Sequence, residues 1–250
     1  MVTRIKKTTL APQVATSVLE SILRGELKPG LKIEQAKLAA QFGVKPGPLR
    51  EALPSLVDSG LIRKNRHTIA VAQQSEVDAE ILLAVRHELE PRAAALAGQN
   101  LTPEDIRTLE RHLGKMRTAI PRRDLTMFFA QDLVFHGYIW KMPRQDTLKR
   151  LFRLVLPPLY AFFFERFGRS ILENPLQVEV ALNRQVQVYD KLLEVLKTRD
   201  PIKIRKAFGK VLAMNWRTVT DWATKQASGK EPQSPAEPSP VHTFHAGSGS

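Results

Sequence analysis

Residues 29–62 read PGLKIEQAKLAAQFGVKPGPLREALPSLVDSGLI, a segment in which two short helical patterns alternate with turn residues. The segment opens on a predicted turn at residues 28–30, where proline and glycine stand together. The first helical pattern ends at Gly43, and the second runs from about Pro46 to Gly60. Two short helices joined by so few residues indicate a helix-turn-helix. The apolar positions that define them are Ile33, Leu38, Ala39 and Phe42 in the first, and Leu49, Leu53, Leu56 and Val57 in the second.

The sequence on either side of this segment predicts one more helix before it and a β-hairpin after it. Residues 12–24 repeat apolar side chains at helical spacing and stop at Gly25, which predicts a preceding helix. Residues 61–64 and 68–71 read as two strands around the basic tip at residues 65–67. Three helices followed by such a hairpin predict a winged helix.

The remainder of the chain changes character near residue 75. Up to about residue 225 no strand pattern is found, and five or six helical segments are separated by short loops. The adjacent prolines 157–158 fall inside an apolar helical run and predict a kink or a split there. The predicted fold class is therefore mainly α, with an N-terminal winged helix-turn-helix and an all-α helical-bundle effector domain. The predicted loops cover residues 99–103, 120–123, 142–143, 168–175 and 199–201.

The predicted organisation has four parts. A basic tail at residues 1–9 precedes the winged helix at 10–74, and the helical domain at 75–226 precedes a tail at 227–250 that is rich in Pro, Ser, Glu and Gly. We expect both tails to be disordered, because their composition buries too little apolar surface.

Charge and composition limit the classes of function that the chain can have. The chain holds 38 Lys and Arg against 25 Asp and Glu, a net charge of +13, and residues 1–74 hold 12 basic and five acidic side chains, a surplus of seven. This surplus favours a polyanionic partner, above all nucleic acid. Without cysteine there is no disulfide, no thiolate zinc site and no Cys nucleophile. The longest apolar run, residues 154–164, is too short to span a bilayer, and no export signal is apparent, so we expect a cytoplasmic protein with no membrane partner.

The ordered motifs of the first domain resemble the winged helix of GntR-type bacterial transcription regulators. They are the string Pro29-Gly30-Leu31-Lys32-Ile33, then Leu38-Ala39 and Phe42-Gly43-Val44, then Pro48-Leu49-Arg50-Glu51-Ala52-Leu53, then Leu56 and Gly60-Leu61-Ile62. The helical domain is similar to the ligand-binding FCD domain of the FadR branch. The segments that carry this second resemblance are Leu82 to Leu96 with Arg86 and Glu90, Asp132 to His136, and Leu192 to Asp200.

The resemblance implies a sequence-specific DNA-binding transcription regulator, most simply a repressor, controlled by a small-molecule effector such as a carboxylate metabolite. A homodimer would place two recognition helices in successive major grooves of a double-stranded operator. Arg50 would contact a base, and Arg66 and His67 at the wing tip would reach the minor groove. Five other cations of the domain are interpreted as phosphate contacts: Lys32, Lys37, Lys45, Arg63 and Lys64.

The DNA-reading positions depart from the family pattern. The serine and arginine that usually open the third helix are Lys45 and Pro46 here, and a usual arginine of the second helix is Ala36. Pro54 stands one turn after Arg50, where a proline typically costs about 3 kcal/mol. An alternative therefore stays open: a degenerate regulator that acts by protein interaction or non-specific DNA binding.

The helical domain contains residues that could bind a metal ion. FCD domains of the metal-binding type use an Asp and a His one turn apart plus two later histidines. Asp132 and His136 match the first pair, but the later positions fall on Tyr189 and near Asn215, which leaves a possible divalent metal ion with an incomplete ligand set. The favoured alternative is that Asp132 and His136 form a buried pair with satisfied hydrogen bonds, or that they are part of an effector pocket without metal. Arg86 would belong to such a pocket, where it would face an anionic effector or pair with Glu90.

An enzymatic function is a third hypothesis. It would use Asp132 and His136 to hold a metal-bound water for hydrolysis. The sequence has no nucleophile elbow, P-loop, dinucleotide fingerprint or HExxH motif. We therefore predict that the chain is not an enzyme.

Overall fold

The computed structural model describes residues 10–66, 68–173 and 175–213. Two predicted site residues, His67 and Asn215, and both predicted tails lie outside this description. The helices of the first domain are α1 (Ala11–Leu23), α2 (Gln35–Gln41) and α3 (Pro46–Asp58), followed by strands β1 (Ile62–Lys64) and β2 (Ile69–Val71). The second domain contains α4 (Glu76–Gln99), α5 (Pro103–Ala119), α6 (Leu125–Lys141), α7 (Asp146–Glu173) and α8 (Pro175–Lys197), and residues 201–213 are also helical.

The first domain has the predicted winged-helix architecture. Strands β1 and β2 pair antiparallel with Ile62 opposite Val71. The predicted start of the second helix was wrong, because Ile33 lies before α2 and its backbone N–H donates to the Ile69 carbonyl at 2.7 Å. Its neighbour Lys32 forms a bridge to Ala70, so the chain before α2 adds a third short edge to the wing.

The helices of the second domain begin at side-chain caps that the sequence supplies. Ser75 caps α4 and Thr102 caps α5, each in a capping box with the aspartate three residues on. The hydroxyl accepts the N–H of the third helical residue, and the aspartate accepts the N–H of the cap. These caps fix the start of α4 directly after the wing.

Of the predicted kink or split at residues 157–158, the split does not occur: α7 is one continuous helix that contains both prolines. The predicted loop at residues 168–175 is also wrong for the most part, since α7 extends to Glu173 and α8 begins at Pro175. Leu156, Leu159 and Tyr160 are fully or almost fully buried around the prolines. Burying each such side chain contributes about 1.5–3 kcal/mol, which offsets the cost of the prolines.

Two hydrophobic cores meet at α1. Val14, Val18 and Ile22 belong to the core of the winged helix, whereas Leu23 belongs to the core of the helical domain. Helix α1 also contacts α6 and α7. In the part of the chain that the model describes, no helix combines the length and apolarity of a membrane span.

Candidate functional site

The predicted DNA-contacting cations of the first domain are exposed. Among the described residues, Lys32, Lys37, Lys45, Arg50, Lys64 and Arg66 form no ion pair, so their charge is available to phosphates. Arg63 is also exposed, but its guanidinium donates to the Gln73 carbonyl at 3.2 Å. This bond holds Arg63 against the segment that connects β2 to α4.

Helix α3 presents Arg50 on its outer face. The inner face buries Leu49 and Leu53 in the winged-helix core. The helix remains regular through Pro54, whose ring is exposed and lies one turn after Arg50 on the outer face. The cap residue Lys45 has extended backbone and provides no side-chain hydrogen bond to the helix start. A continuous helix with an outward guanidinium is the arrangement that major-groove reading uses.

The edge beside the wing places two of these cations on one face. Arg63 of β1 pairs with Ala70 of β2, and Ala70 forms a bridge on its other side with Lys32. Directly opposed residues point to the same face of a sheet, so Lys32 and Arg63 lie on one side of the wing. The sequence did not predict this third edge, because it depends on a backbone bridge and not on a residue pattern.

Four helices of the second domain meet in a buried polar cluster, defined by Arg86 and Glu90 of α4, Asp132 and His136 of α6, Tyr160 of α7, and Gln185 and Tyr189 of α8. The predicted pair is present: Arg86 Nε donates to Glu90 Oε2 at 2.8 Å. His136 Nδ1 contacts Glu90 Oε1, and since a carboxylate only accepts, Nδ1 carries the proton. His136 Nε2 lies 2.8 Å from the Tyr189 hydroxyl.

Asp132 is held from the other side of the buried polar cluster. The Tyr160 hydroxyl donates to Asp132 Oδ2 at 2.8 Å, and the Gln185 amide donates to the same oxygen at 3.2 Å. The Gln185 amide also lies 3.0 Å from the Tyr189 hydroxyl. The guanidinium carbon of Arg86 stands 5.6 Å from the centre of the Tyr160 ring.

Burial and opposite charges set the protonation of this cluster. Burial raises the pKa of Glu90, but Arg86 and His136 outweigh it and hold that pKa well below its usual range. Burial lowers the pKa of His136, but the Glu90 carboxylate outweighs it and raises that pKa above its usual value. Burial raises the pKa values of Tyr160 and Tyr189 far above 10, so both phenols keep their protons.

Two atoms of the cluster have no hydrogen-bond partner among the described residues. They are Arg86 Nη2, a donor, and Asp132 Oδ1, an acceptor, and both are buried. Asp132 Oδ1 lies 3.5 Å from His136 Nε2, an ion-pair distance to the protonated imidazole, but the geometry is not that of a hydrogen bond. A buried donor or acceptor without a hydrogen-bond partner costs about 1–3 kcal/mol, so a water or ligand atom that satisfies either one would stabilise the cluster.

The donor set does not fit the metal ion that the resemblance implies. Both ring nitrogens of His136 are engaged, Nδ1 by Glu90 and Nε2 by the neutral Tyr189 hydroxyl. Tyr189 stands at the position of the third ligand, and the fourth, Asn215, lies outside the described residues. Over the ranges that the model describes, no group of three His, Cys, Asp or Glu is placed to hold a metal.

Sequence reasoning found four members of the cluster and missed three roles. Tyr160 and Gln185 were not among the predicted site residues, and Glu90 was considered only as a partner of Arg86. A buried tyrosine hydroxyl normally needs a partner, which was a usable signal for Tyr160. Gln185 stands four residues before Tyr189 on the same helix face, which was a weaker signal.

Comparison with known proteins gives a consistent family assignment for both domains. Residues 10–69 match the model of bacterial regulatory proteins of the gntR family, and residues 80–213 match the model of the FCD domain. The HTH-type transcriptional regulator McbR of Escherichia coli K12 is 26% identical over 217 residues, which cover 85% of this chain and 93% of that protein. The gluconate operon transcriptional repressor of Bacillus licheniformis is 24% identical over 188 residues, 75% of this chain and 76% of that protein.

Solved structures show the same fold. The structure of E. coli McbR/YncC has a TM-score of 0.67 at 24% identity and covers 89% of this chain and 100% of its own. A GntR transcriptional regulator from Rhodococcus sp. RHA1 has a TM-score of 0.61 at 19% identity, with 90% and 100% covered. Both likenesses extend over the two domains.

Proposed function

Because this chain is a transcription regulator that belongs to the GntR family and carries an FCD domain, we propose that it binds a two-fold symmetric operator as a homodimer. In this proposal the chain represses transcription, acts in the cytoplasm on the bacterial chromosome, and is controlled by a small carboxylate metabolite. The winged helix binds the DNA and the FCD domain binds the effector. Neither role needs a catalysed reaction.

One observation carries the DNA-reading part of this proposal. Arg50 projects from the outer face of a continuous α3 and forms no ion pair among the described residues. A guanidinium in this position can make a bidentate contact with guanine O6 and N7. Lys32 and Lys64 flank it as phosphate contacts, which add salt-dependent affinity without sequence preference.

The same face supports a second candidate, non-specific DNA binding. Pro46 and Pro54 share the outer face of α3 with Arg50, and Glu51 is exposed beside it. Prolines offer no side-chain donors to base edges, and a carboxylate repels phosphates. Base reading by α3 therefore depends on Arg50 to an unusual degree.

Selection from a pool of random DNA duplexes separates the two candidates. If the chain reads sequence, repeated rounds will enrich a site with two related halves about one helical turn apart. Non-specific binding will enrich no motif, and affinity will then depend on salt alone. The relatives' own operators serve as an independent set of probes.

For the effector, the proposal depends on the two unpartnered buried atoms. Arg86 Nη2 offers a donor to a carboxylate, and Asp132 Oδ1 offers an acceptor to a hydroxyl or ammonium group. A small molecule that carries a carboxylate and such a donor offers both kinds of partner. Because the cluster engages both nitrogens of His136 through its own side chains, we propose that this binding needs no metal ion.

A thermal-shift screen tests the effector class. We expect hydroxy- and amino-carboxylates to raise the melting temperature through binding to the folded state, and their methyl esters to have no effect. Arg86→Lys keeps a positive charge beside Glu90 but removes Nη2, so the shift should fall to near zero. Equal shifts in Arg86→Lys, or shifts produced only with added divalent cations, would contradict the proposed mode.

A further inference from the structure

Gly60 is the residue at which the end of α3 meets the helical domain. It follows α3 with φ of +71°, a conformation that favours glycine. A Cβ atom placed on Gly60 would lie 3.9 Å from both Cβ and Cγ of Pro158, so Gly60 faces the proline ring of α7. On the other side, the Gln74 amide donates to the Gly60 carbonyl at 3.1 Å. The end of α3 is therefore held between α7 and the segment that leads to α4.

Two residues of α7 form the surface that meets the winged helix, and we call them the docking face. Pro158 is buried opposite Gly60, and Ala161 packs, partly buried, against the hydrophobic core of the winged helix. Residues three apart lie on the same side of a helix, so both belong to one surface. Helix α1, which packs on α3, also contacts α7. The winged helix thus rests on this part of α7.

The same turn of α7 carries Tyr160 of the buried polar cluster. Tyr160 is 2% exposed, and its hydroxyl donates to Asp132 Oδ2 at 2.8 Å. Leu156 and Leu159 are fully buried beside it in the core of the helical domain. The other oxygen of Asp132 is the acceptor that the proposed function offers to the effector. One turn of α7 therefore contacts both the effector cluster and the winged helix.

The backbone hydrogen bonding of α7 is interrupted just before this turn. Pro157 and Pro158 have no N–H, so the carbonyls of Arg153 and Leu154 have no helical donor four residues on. Helices bend most readily at such positions. A change at Tyr160 can therefore displace the docking face without unfolding α7.

We propose that Pro158 and Ala161 position α3 for DNA reading, and that Tyr160 links this position to the effector contact at Asp132. A ligand that donates to Asp132 Oδ1 changes the bond that Tyr160 makes to the same carboxylate, and the docking face then shifts against Gly60. Pro158 and Ala161 act on the DNA only through α3, as positioning residues. This inference rests on the proposed function and names the residues that join its two halves.

Hydrogen exchange read by mass spectrometry tests the link without DNA or effector. Tyr160→Phe removes only the hydroxyl group, and we expect the amides of residues 55–62 to exchange about threefold faster or more in this variant. Tyr138→Phe is the matched control, because it removes another hydroxyl bond of the helical domain, to Asp105 at 2.7 Å, from a residue outside α7. In this control, residues 55–62 should exchange as in the natural chain.

A variant of the docking face shows whether Tyr160 acts through it. Pro158→Ala/Ala161→Gly removes the ring and the methyl group but keeps Tyr160. The two changes have opposite effects on helix stability, so α7 should stay helical, and circular dichroism checks this. Adding Tyr160→Phe to this variant should cause no further increase in exchange at residues 55–62, because the surface that links the two sites is already lost.

Fluorescence anisotropy with a selected duplex gives the second readout. Tyr160→Phe and Pro158→Ala/Ala161→Gly should each change the Kd for that duplex by about threefold or more, and Tyr138→Phe should not.

Three results would overturn the proposal: natural exchange rates or natural duplex affinity in Tyr160→Phe, the same effects in Tyr138→Phe, or an undiminished effect of Tyr160→Phe when the docking face is altered. A chain that shows the link in hydrogen exchange but enriches no DNA motif would refute the proposed function and leave the contact between the domains intact.

Discussion

Removing the carboxylate of Glu90 should destabilise the helical domain more than any surface charge change. Glu90 is fully buried and pairs with Arg86 at 2.8 Å, and Arg86 is only 6% exposed. Glu90→Ala would leave this guanidinium buried without its counter-ion. Breaking a buried pair in this way costs about 3–5 kcal/mol. That is a large part of the roughly 5–15 kcal/mol that stabilises a folded domain.

Urea denaturation followed by circular dichroism measures this effect. With a slope of about 2 kcal/mol per molar urea, the midpoint of Glu90→Ala should fall by about 1.5–2.5 M. Arg107→Ala is the matched control, because Arg107 and Glu104 form an equally short pair that is 62% and 61% exposed. An exposed pair contributes less than about 1 kcal/mol.

A double variant separates the missing counter-ion from lost packing. Arg86→Met/Glu90→Leu replaces both charges with apolar side chains, and we expect it to recover part of the stability that Glu90→Ala loses. It should remain about 1–3 kcal/mol below the natural chain, because the buried His136 Nδ1 loses its acceptor. If Glu90→Ala loses no more stability than Arg107→Ala, or if the double variant is as unstable as Glu90→Ala, the buried polar cluster is not a desolvated charge network.

Three further changes test other parts of the fold. Pro54→Ala should stabilise the winged helix by up to about 3 kcal/mol. The new N–H can donate to the carbonyl one turn back, and the exposed proline ring makes no core contact that would be lost. An unchanged melting temperature would contradict this expectation. Thr102→Ala should cost about 1 kcal/mol in urea denaturation, since the Thr102 hydroxyl accepts from Asp105 N–H at 3.2 Å; a neutral result would mean that the cap is dispensable. The pKa of His136 is raised in the folded state, so protonation of His136 stabilises the fold below pH 6.5, and this stabilisation is lost as the pH rises through the pKa of the folded state. The urea midpoint should fall over that pH range, and the midpoint of His136→Gln should not.

The sequence predicted the winged helix well because local signals mark its boundaries. Gly43 and Gly60 follow α2 and α3 with φ of +64° and +71°, a conformation that favours glycine. The turn at residues 28–30 and the basic hairpin are equally local. Only the start of α2 was misplaced, because the bridge from Lys32 to Ala70 is a non-local contact.

The helical domain was less predictable because its details depend on tertiary contacts. Local rules predict a break at residues 157–158, but burial of the neighbouring side chains keeps α7 continuous. The buried polar cluster joins Asp132 to Gln185 across 53 positions, and no local pattern specifies such a contact. The i, i+4 spacing of Arg86 and Glu90 was enough to suggest their pair. It did not reveal that Glu90 also holds His136.

Fluorescence anisotropy on a selected duplex measures whether α3 reads DNA through Arg50. Arg50→Ala should weaken binding by about 1–3 kcal/mol and should abolish the preference for the guanine that Arg50 contacts, so that changing this base no longer affects the variant. Lys64→Ala, as a phosphate contact, should weaken binding to every sequence alike. If Arg50→Ala keeps both the affinity and the full base preference of the natural chain, Arg50 does not read the operator.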